Sequence, residues 1–191
     1  MTKSIENAIV IGATGLVGRE LVRQLSQNAR CKNITAVVRQ RDHELNGLAK
    51  VQQMVISDFL SLTQDDVRDY SHAFSCLGST IKKAGSKDHF YQIDFSINAH
   101  FAELLEYYLK TLKLNQLSIL KPSLLLGERH ESRRLEDATQ KLYMRFSHFV
   151  PDRFKFKPVT AQQVAHTMVD AAQTQTEKFE IYDNLRILTI K

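Results

Sequence analysis

Three of the seven glycines in this 191-residue chain, Gly12, Gly15 and Gly18, fall within one short segment. A continuous apolar run at residues 8–11 precedes them, and an amphipathic stretch at residues 16–25 follows them. The run is typical of a strand buried on both faces of a parallel sheet, and the stretch is typical of a helix with one buried face. The order strand, glycine turn, helix predicts a βα unit whose turn presents backbone amides to an anion.

The glycines are spaced GxxGxxG, which differs from the GxGxxG of the dehydrogenase fingerprint. In this context the spacing predicts a diphosphate-binding turn, and a purely structural βα turn is the alternative. Residues 34–38, 51–56 and 73–77, which are rich in apolar and β-branched side chains, predict three more strands. We therefore predict an α/β fold, a Rossmann-type doubly wound parallel sheet with helices on both faces. It is expected as a single domain over residues 1–191, with the substrate-side elements from about residue 121.

Candidate ligand-binding residues follow the predicted strands. Arg39 ends the second strand, where an arginine accommodates the 2′-phosphate of NADP and an acid would bind the ribose hydroxyls of NAD. The position favours NADP over NAD and weakens a methyltransferase interpretation. After the third strand, Asp58 is placed to accept from an adenine amino group and Phe59 to cover the ring, although Asp58 is equally well explained as a cap.

Two cysteines, Cys31 and Cys76, give neither a disulfide framework nor a zinc spacing. Cys76 lies in the fourth predicted strand and is interpreted as a core residue rather than a nucleophile. The cysteine usage and a polar start without a signal-peptide core predict a cytoplasmic protein with no membrane partner and no metal site. The formal charge of +5 is spread along the chain, so a nucleic-acid partner is not expected either.

Several segments carry a resemblance to a known family. They are AIVIGATGLVGREL at the glycine turn, SCLGSTIKKAG at the fourth strand and LKPSLLLGER further on. Together they resemble the atypical short-chain dehydrogenase/reductases, specifically the small NAD(P)H-binding oxidoreductases related to the Tat-interacting protein, over about residues 7–169.

The resemblance implies NADP(H) as the cofactor and assigns its contacts. The implied pyrophosphate-binding residues are Gly12, Thr14, Gly15, Leu16 and Val17, with Arg39 at the 2′-phosphate, Asp58 and Phe59 at the adenine, and Leu77, Gly78, Ser79 and Thr80 along the ribose and nicotinamide. Lys83 matches a lysine that reaches a phosphate or a substrate anion, with a solvated lysine as the alternative. Pro122 matches a segment beside the nicotinamide, and a plain turn explains it as well.

One departure from the family is large. Members carry a fifth strand ending in Ser and then a helix with Tyr-x-x-x-Lys, and none of the six tyrosines here has a lysine four residues later. Residues 94–114 instead predict one long amphipathic helix. Either about thirty residues, one strand and one helix, have been lost, or the sequence joins two segments that are separated in the full protein. We favour the joined segments, because skipping an interior strand leaves its neighbours' edges unpaired.

The remaining pattern predicts a strand at residues 117–120 ended by Pro122, an aromatic-striped helix at 135–149 and a short edge strand at 153–157. A helix is expected from Thr160, with a Thr160–Gln163 capping box, through residue 172. Short strands are expected at residues 179–182 and 185–190. The aromatic stripe is compatible with core packing or with a homodimer contact.

These observations lead to two hypotheses. The first is an NADPH-dependent oxidoreductase that acts on an unidentified small carbonyl substrate, with no residue assignable as the catalytic acid. The second is a non-catalytic NADPH-binding regulatory protein whose partner surface responds to the cofactor.

Overall fold

Four parallel strands form the main sheet of the molecule. The computed structural model describes residues 2–78, 85–112, 116–123, 125–126 and 157–190. The elements are β1 (Ile5–Ile11), α1 (Leu16–Gln27), β2 (Cys31–Val38), α2 (His43–Asn46), β3 (Val51–Val55), two 3-10 turns (Phe59–Ser61 and Asp65–Val67), β4 (His72–Ser75), α3 (Lys87–Tyr91), α4 (Ile97–Leu112), β5 (Leu117–Lys121), β6 (Leu125–Leu126), β7 (Val159–Thr160), α5 (Ala161–Thr174), β8 (Phe179–Asp183) and α6 (Asn184–Thr189). The strand order in the main sheet is β3-β2-β1-β4. The predicted Rossmann-type parallel α/β fold is confirmed.

Strand β1 lies between β2 and β4 and is buried on both faces of the sheet. Ala8 and Val10 belong to a core shared with α1 and α5. Ile9 and Ile11 belong to a second core shared with α4 and with the turn at Phe59. Because successive side chains of a strand point to opposite faces, a strand covered by helices on both sides must be apolar throughout.

Helix α5 begins as the sequence predicts. The Thr160 hydroxyl accepts a hydrogen bond from the Gln163 amide (3.1 Å), and the Gln163 side chain accepts one from the Thr160 amide (2.9 Å). These two bonds form the expected capping box and satisfy amides that have no partner inside the helix. The helix packs against α1, on the same face of the main sheet.

The long helix predicted at residues 94–114 is observed as α4 together with the end of a single wider π-type turn at Gln92–Ser96, and α3 precedes that turn. The Asn98 side-chain Nδ2 donates to the backbone carbonyls of Ile93 (3.2 Å) and Asp94 (3.3 Å) beside this wider turn. The backbone runs without a break through Ile97–Leu112. The expectation that the sequence joins two separated segments is therefore wrong, because one continuous helix crosses the predicted join.

The second half of the described chain pairs separately from the main sheet. Strand β5 pairs in parallel with β8, and β6 pairs in parallel with β7. Within the described residues β4 is an edge of the main sheet and β5 does not pair with it. The described residues of this half therefore form two two-stranded sheets apart from the main one.

Polar side chains link the two sheets at the amino end of β5. The Lys3 ammonium donates to the Gln175 backbone carbonyl (2.7 Å), and the Gln116 side-chain Nε2 donates to the same oxygen (2.8 Å). The buried Gln175 side chain donates to the Leu117 carbonyl (3.1 Å). These hydrogen bonds hold the start of β5 next to the amino-terminal segment without a strand between them.

The strand expected at residues 185–190 is wrong, because this segment is helix α6. The Asp183 carboxylate caps the helix by accepting from the Arg186 amide (2.9 Å), and Asn184 and Ile187, three residues apart, are buried on one face. The helix expected at residues 135–149 and the strand expected at 153–157 lie outside the described residues. In the part of the chain that is described, every helix is too short or too polar to cross a bilayer.

Candidate functional site

The carboxyl ends of β1, β2, β3 and β4 meet at one edge of the main sheet, because all four strands are parallel. The segments that follow these strands carry most of the predicted ligand-binding residues. They are Gly12, Thr14, Gly15, Leu16 and Val17 after β1, Arg39 after β2, Asp58 and Phe59 after β3, and Leu77 and Gly78 after β4. Open parallel sheets bind their ligands at this edge.

Two glycines of the turn are required by packing. Gly12 has φ +73°, and a Cβ on it would lie 2.7 Å from the carbonyl carbon of Cys76 and 2.8 Å from the Leu77 nitrogen. A Cβ on Gly18 would lie 2.1 Å from the Gly12 oxygen. The turn is therefore pressed between the first turn of α1 and the chain that leaves β4, and only glycine fits at either position.

Gly15 has a different role, because it is exposed and is the N-cap residue of α1. Its amide donates to the Gly12 oxygen (3.0 Å), and it supplies no side chain to cap the helix. The first amides of a helix have no partner inside the helix and carry the positive end of its dipole. Thr14 beside Gly15 is also exposed, so this helix start can receive a phosphate group.

Arg39 is exposed directly after β2, and Arg41 is exposed two residues later. The next residue, Asp42, is held firmly: the Gln53 side chain accepts from its amide (2.8 Å) and donates to its carbonyl (2.8 Å). The Asp42 carboxylate also forms an ion pair with Arg19 (2.6 Å). The loop that carries Arg39 is thus fixed to β3 and to α1.

Sequence reasoning did not include Arg19 among the candidate site residues. In the structure its Nε donates to the Thr14 carbonyl (3.1 Å), so the guanidinium lies against the glycine turn. The available signal was its position directly after the last glycine. The carboxylate partners of Arg19 come from a distant part of the chain and could not be inferred from that position.

Asp58 and Phe59 differ in what they offer a ligand. The exposed Asp58 side chain accepts from the Leu60 amide (2.9 Å), which is the cap given as the alternative to adenine binding. The Phe59 side chain is 8% exposed and packs in the core with Ile9 and Ile11. The Phe59 ring therefore belongs to the core beneath the loop, and its contact with an adenine stays a prediction.

The chain after β4 crosses the glycine turn. The Cys76 amide donates to the Ile11 carbonyl (3.0 Å), and burial raises the pKa of the Cys76 thiol to about 12. A thiol with this pKa is protonated at neutral pH, in agreement with its interpretation as a core residue. Gly78 is exposed beyond it. Ser79, Thr80 and Lys83, also predicted as cofactor residues, lie outside the described residues.

Pro122 follows β5 as expected and is exposed, but β5 belongs to the separate two-stranded sheet. Its neighbour Ser123 is held by a residue that sequence reasoning missed. The buried Asn184 side chain accepts from the Ser123 amide (2.9 Å) and donates to the Lys157 carbonyl (2.7 Å). Asn184 therefore positions the proline loop from the start of α6.

Comparison with known proteins agrees with this architecture. A family model described as the semialdehyde dehydrogenase NAD-binding domain matches residues 7–118. The chain is similar in structure to an oxidoreductase of the short-chain dehydrogenase/reductase family from Burkholderia thailandensis (TM-score 0.61, 13% identity, 96% of this chain and 93% of that one). It is similar to L-sorbose reductase from Gluconobacter frateurii, complexed with NADPH and L-sorbose (TM-score 0.60, 14% identity, 95% and 96%).

Similar sequences include the mitochondrial protein FMP52-1 of Scheffersomyces stipitis, which is 28% identical over 90% of each chain. The mitochondrial protein FMP52 of Candida albicans is 25% identical over 87% of this chain and 88% of its own length. The first alignment spans 204 positions, whereas 90% of this 191-residue chain is about 172 residues. About thirty residues of the S. stipitis protein within this alignment therefore have no counterpart in this chain.

These relatives also correct one expectation. A cytoplasmic location was expected from the cysteine usage and the polar amino terminus, but the similar proteins are named as mitochondrial. The expectation is wrong because neither feature distinguishes the cytosol from another reducing compartment.

The parallel sheet and the family match together identify an NAD-binding domain of the Rossmann type. The family model covers more than half of the chain. The chain therefore belongs to the family of the semialdehyde dehydrogenase NAD-binding domain.

Proposed function

We propose that this chain binds NADPH at the edge of the main sheet where β1 to β4 end. The observation that carries the proposal is the uncapped start of α1 at Gly15, one strand away from the exposed Arg39. The amides of Leu16 and Val17 would hold the diphosphate, and Arg39 would pair with the 2′-phosphate. Asp58 would face the adenine, and Gly78 would leave room for the ribose and nicotinamide.

The proposed reaction is the reduction of a small carbonyl compound, as in the oxidoreductases related to the Tat-interacting protein. NADPH supplies the hydride when it is bound, and the protein must position the carbonyl and exclude water. Reduction also needs a proton donor, and the sequence lacks Tyr-x-x-x-Lys. The nearest variant, Tyr182 with Arg186 four residues later, is unsuitable because Tyr182 is only 2% exposed, with the guanidinium 3.8 Å above its ring.

The absence of Tyr-x-x-x-Lys from the sequence favours a second candidate, a non-catalytic NADPH-binding regulatory protein. Two features support it. Helix α4 runs continuously through the part of the chain where the family's catalytic strand and helix would lie, and β4 and β5 lie in different sheets. A protein of this kind would respond to the NADPH concentration through binding alone.

Calorimetric titration of NADPH and NADH tests the binding proposal. We expect wild type to prefer NADPH, and Arg39→Asp to lose this preference at a cost on the order of 1–3 kcal/mol for a charge-assisted phosphate contact. Arg30→Asp is the matched control, because Arg30 is exposed at the opposite end of β2. Equal affinities for the two cofactors in wild type would overturn the NADP assignment.

A single-turnover experiment separates the two candidate functions. The NADPH-loaded protein is mixed with a panel of aldehydes and quinones, and the absorbance of the reduced nicotinamide is followed. Loss of that absorbance with any substrate supports the oxidoreductase. Tight binding with no oxidation across the panel supports the regulatory protein.

A further inference from the structure

Arg19 lies between the two segments that the proposed function assigns to phosphate groups. Its Nε donates to the Thr14 carbonyl of the glycine turn, and Nη2 pairs with Asp42 in the loop that carries Arg39. Its Nη1 contacts the Glu44 carboxylate. The side chain remains 29% exposed, so the guanidinium can be reached from solvent. A cation therefore lies next to the place where a 2′-phosphate is expected.

The two carboxylates that contact Arg19 are held very differently. Asp42 has a side chain that is 12% exposed, and its Oδ1 accepts from the Glu44 amide (2.9 Å) while Oδ2 accepts from Arg19 (2.6 Å). The Gln53 side chain also fixes the backbone of Asp42. The Glu44 side chain is 60% exposed. Exposed ion pairs contribute little to stability, so moving the Glu44 carboxylate into water costs little.

We propose that Arg19 is a specificity-determining residue for NADPH, and that the Glu44 carboxylate takes the place at Arg19 that the 2′-phosphate takes when the cofactor binds. Asp42 and the Thr14 carbonyl keep the guanidinium oriented, and Glu44 swings into solvent. A phosphate monoester carries more charge than a carboxylate and offers more acceptor oxygens. The 2′-phosphate therefore binds the Arg19 guanidinium more strongly than the Glu44 carboxylate does. Glu44 thereby lowers the affinity for NADPH without affecting NADH, which has a ribose hydroxyl at this position. This inference rests on the proposed function.

A double-mutant cycle tests the exchange, with the dissociation constants of NADPH and NADH measured by calorimetry. Glu44→Gln should bind NADPH about threefold more tightly, because the competing charge is removed. Arg19→Met should bind NADPH roughly tenfold more weakly, because a charge-assisted contact is lost. Both variants should change the affinity for NADH much less than the affinity for NADPH. In the Arg19→Met background, Glu44→Gln should have no effect on NADPH.

Arg23→Met is the matched control. Arg23 lies on the same helix, one turn further on, and pairs with Glu20 (2.6 Å) away from the glycine turn. Its substitution should leave the NADPH to NADH affinity ratio unchanged. If Arg19→Met fails to fold, Glu44→Gln alone decides the question, because its exposed side chain leaves the fold intact.

Two results would overturn the inference. One is an unchanged NADPH affinity in Glu44→Gln, and the other is an equal gain for NADPH and NADH. In either case NADH binding by wild type still upholds the dinucleotide site. If wild type binds neither cofactor, the proposed function itself fails.

Discussion

Replacement of Gly18 by alanine tests the packing of the glycine turn. The new Cβ would lie 2.1 Å from the Gly12 oxygen, 2.8 Å from the Gly12 carbonyl carbon and 2.9 Å from the Ala13 Cα. All three atoms belong to the backbone, so no side chain can rotate away. Restoring ordinary contact requires the start of α1 and the turn to separate by roughly 1 Å, and overpacking of this kind costs about 3 kcal/mol.

Urea and thermal unfolding measure this cost. For a chain of this length, about 3 kcal/mol corresponds to a fall in Tm of roughly 6–12 °C. Gly47→Ala is the matched control, because Gly47 has φ −88° and no atom within 4 Å of the new Cβ. That variant should be neutral or stabilised by up to about 1 kcal/mol. Equal unfolding midpoints for Gly18→Ala and wild type would refute the packing argument.

Three further predictions concern other parts of the molecule. Burial lowers the pKa of His72 in the native protein. The unfolded chain therefore binds a proton at a higher pH than the native protein does, and the free energy of unfolding should decrease as the pH falls below about 6.5. In urea titrations His72→Gln should flatten that dependence, and an equally steep profile would contradict the burial effect. Thr160→Ala removes one half of the capping box with Gln163 and should cost about 1 kcal/mol in thermal unfolding, so an unchanged Tm would count against the cap. Because the pKa of Cys76 is raised to about 12, its thiol should react with Ellman's reagent at pH 8 at least about 100-fold more slowly than after unfolding; rapid labelling of the native protein would exclude this environment.

The sequence was most informative where the signal is local. The apolar run of β1 and the glycines after it predicted the first βα unit, because a strand covered on both faces and a tight turn each demand particular residue types. The capping box at Thr160 predicted the start of α5 for the same reason. The strand predicted at residues 185–190 was wrong, because a short, largely apolar segment fits a strand or a helix equally well. The Asp183 cap is the feature that indicates a helix here.

Parts of the site that depend on tertiary contacts could not be predicted. Arg19 acquires its role from Asp42, which is distant in sequence and is itself fixed by Gln53. The burial of Phe59 depends on how α4 packs against the sheet. β4 and β5 lie in different sheets, and the sequence pattern alone left two explanations for the absence of the family's strand and helix. Continuous α4 decides between them.

The central claim is that the start of α1 binds the linked phosphates of a nicotinamide dinucleotide. Amide chemical shifts of the full chain, recorded by nuclear magnetic resonance during titration with NADPH, test this claim directly. We predict that the largest shifts occur at the amides of Gly15, Leu16 and Val17 and saturate together with those of Arg39. Saturable binding that leaves these four amides unmoved while other residues shift would contradict it.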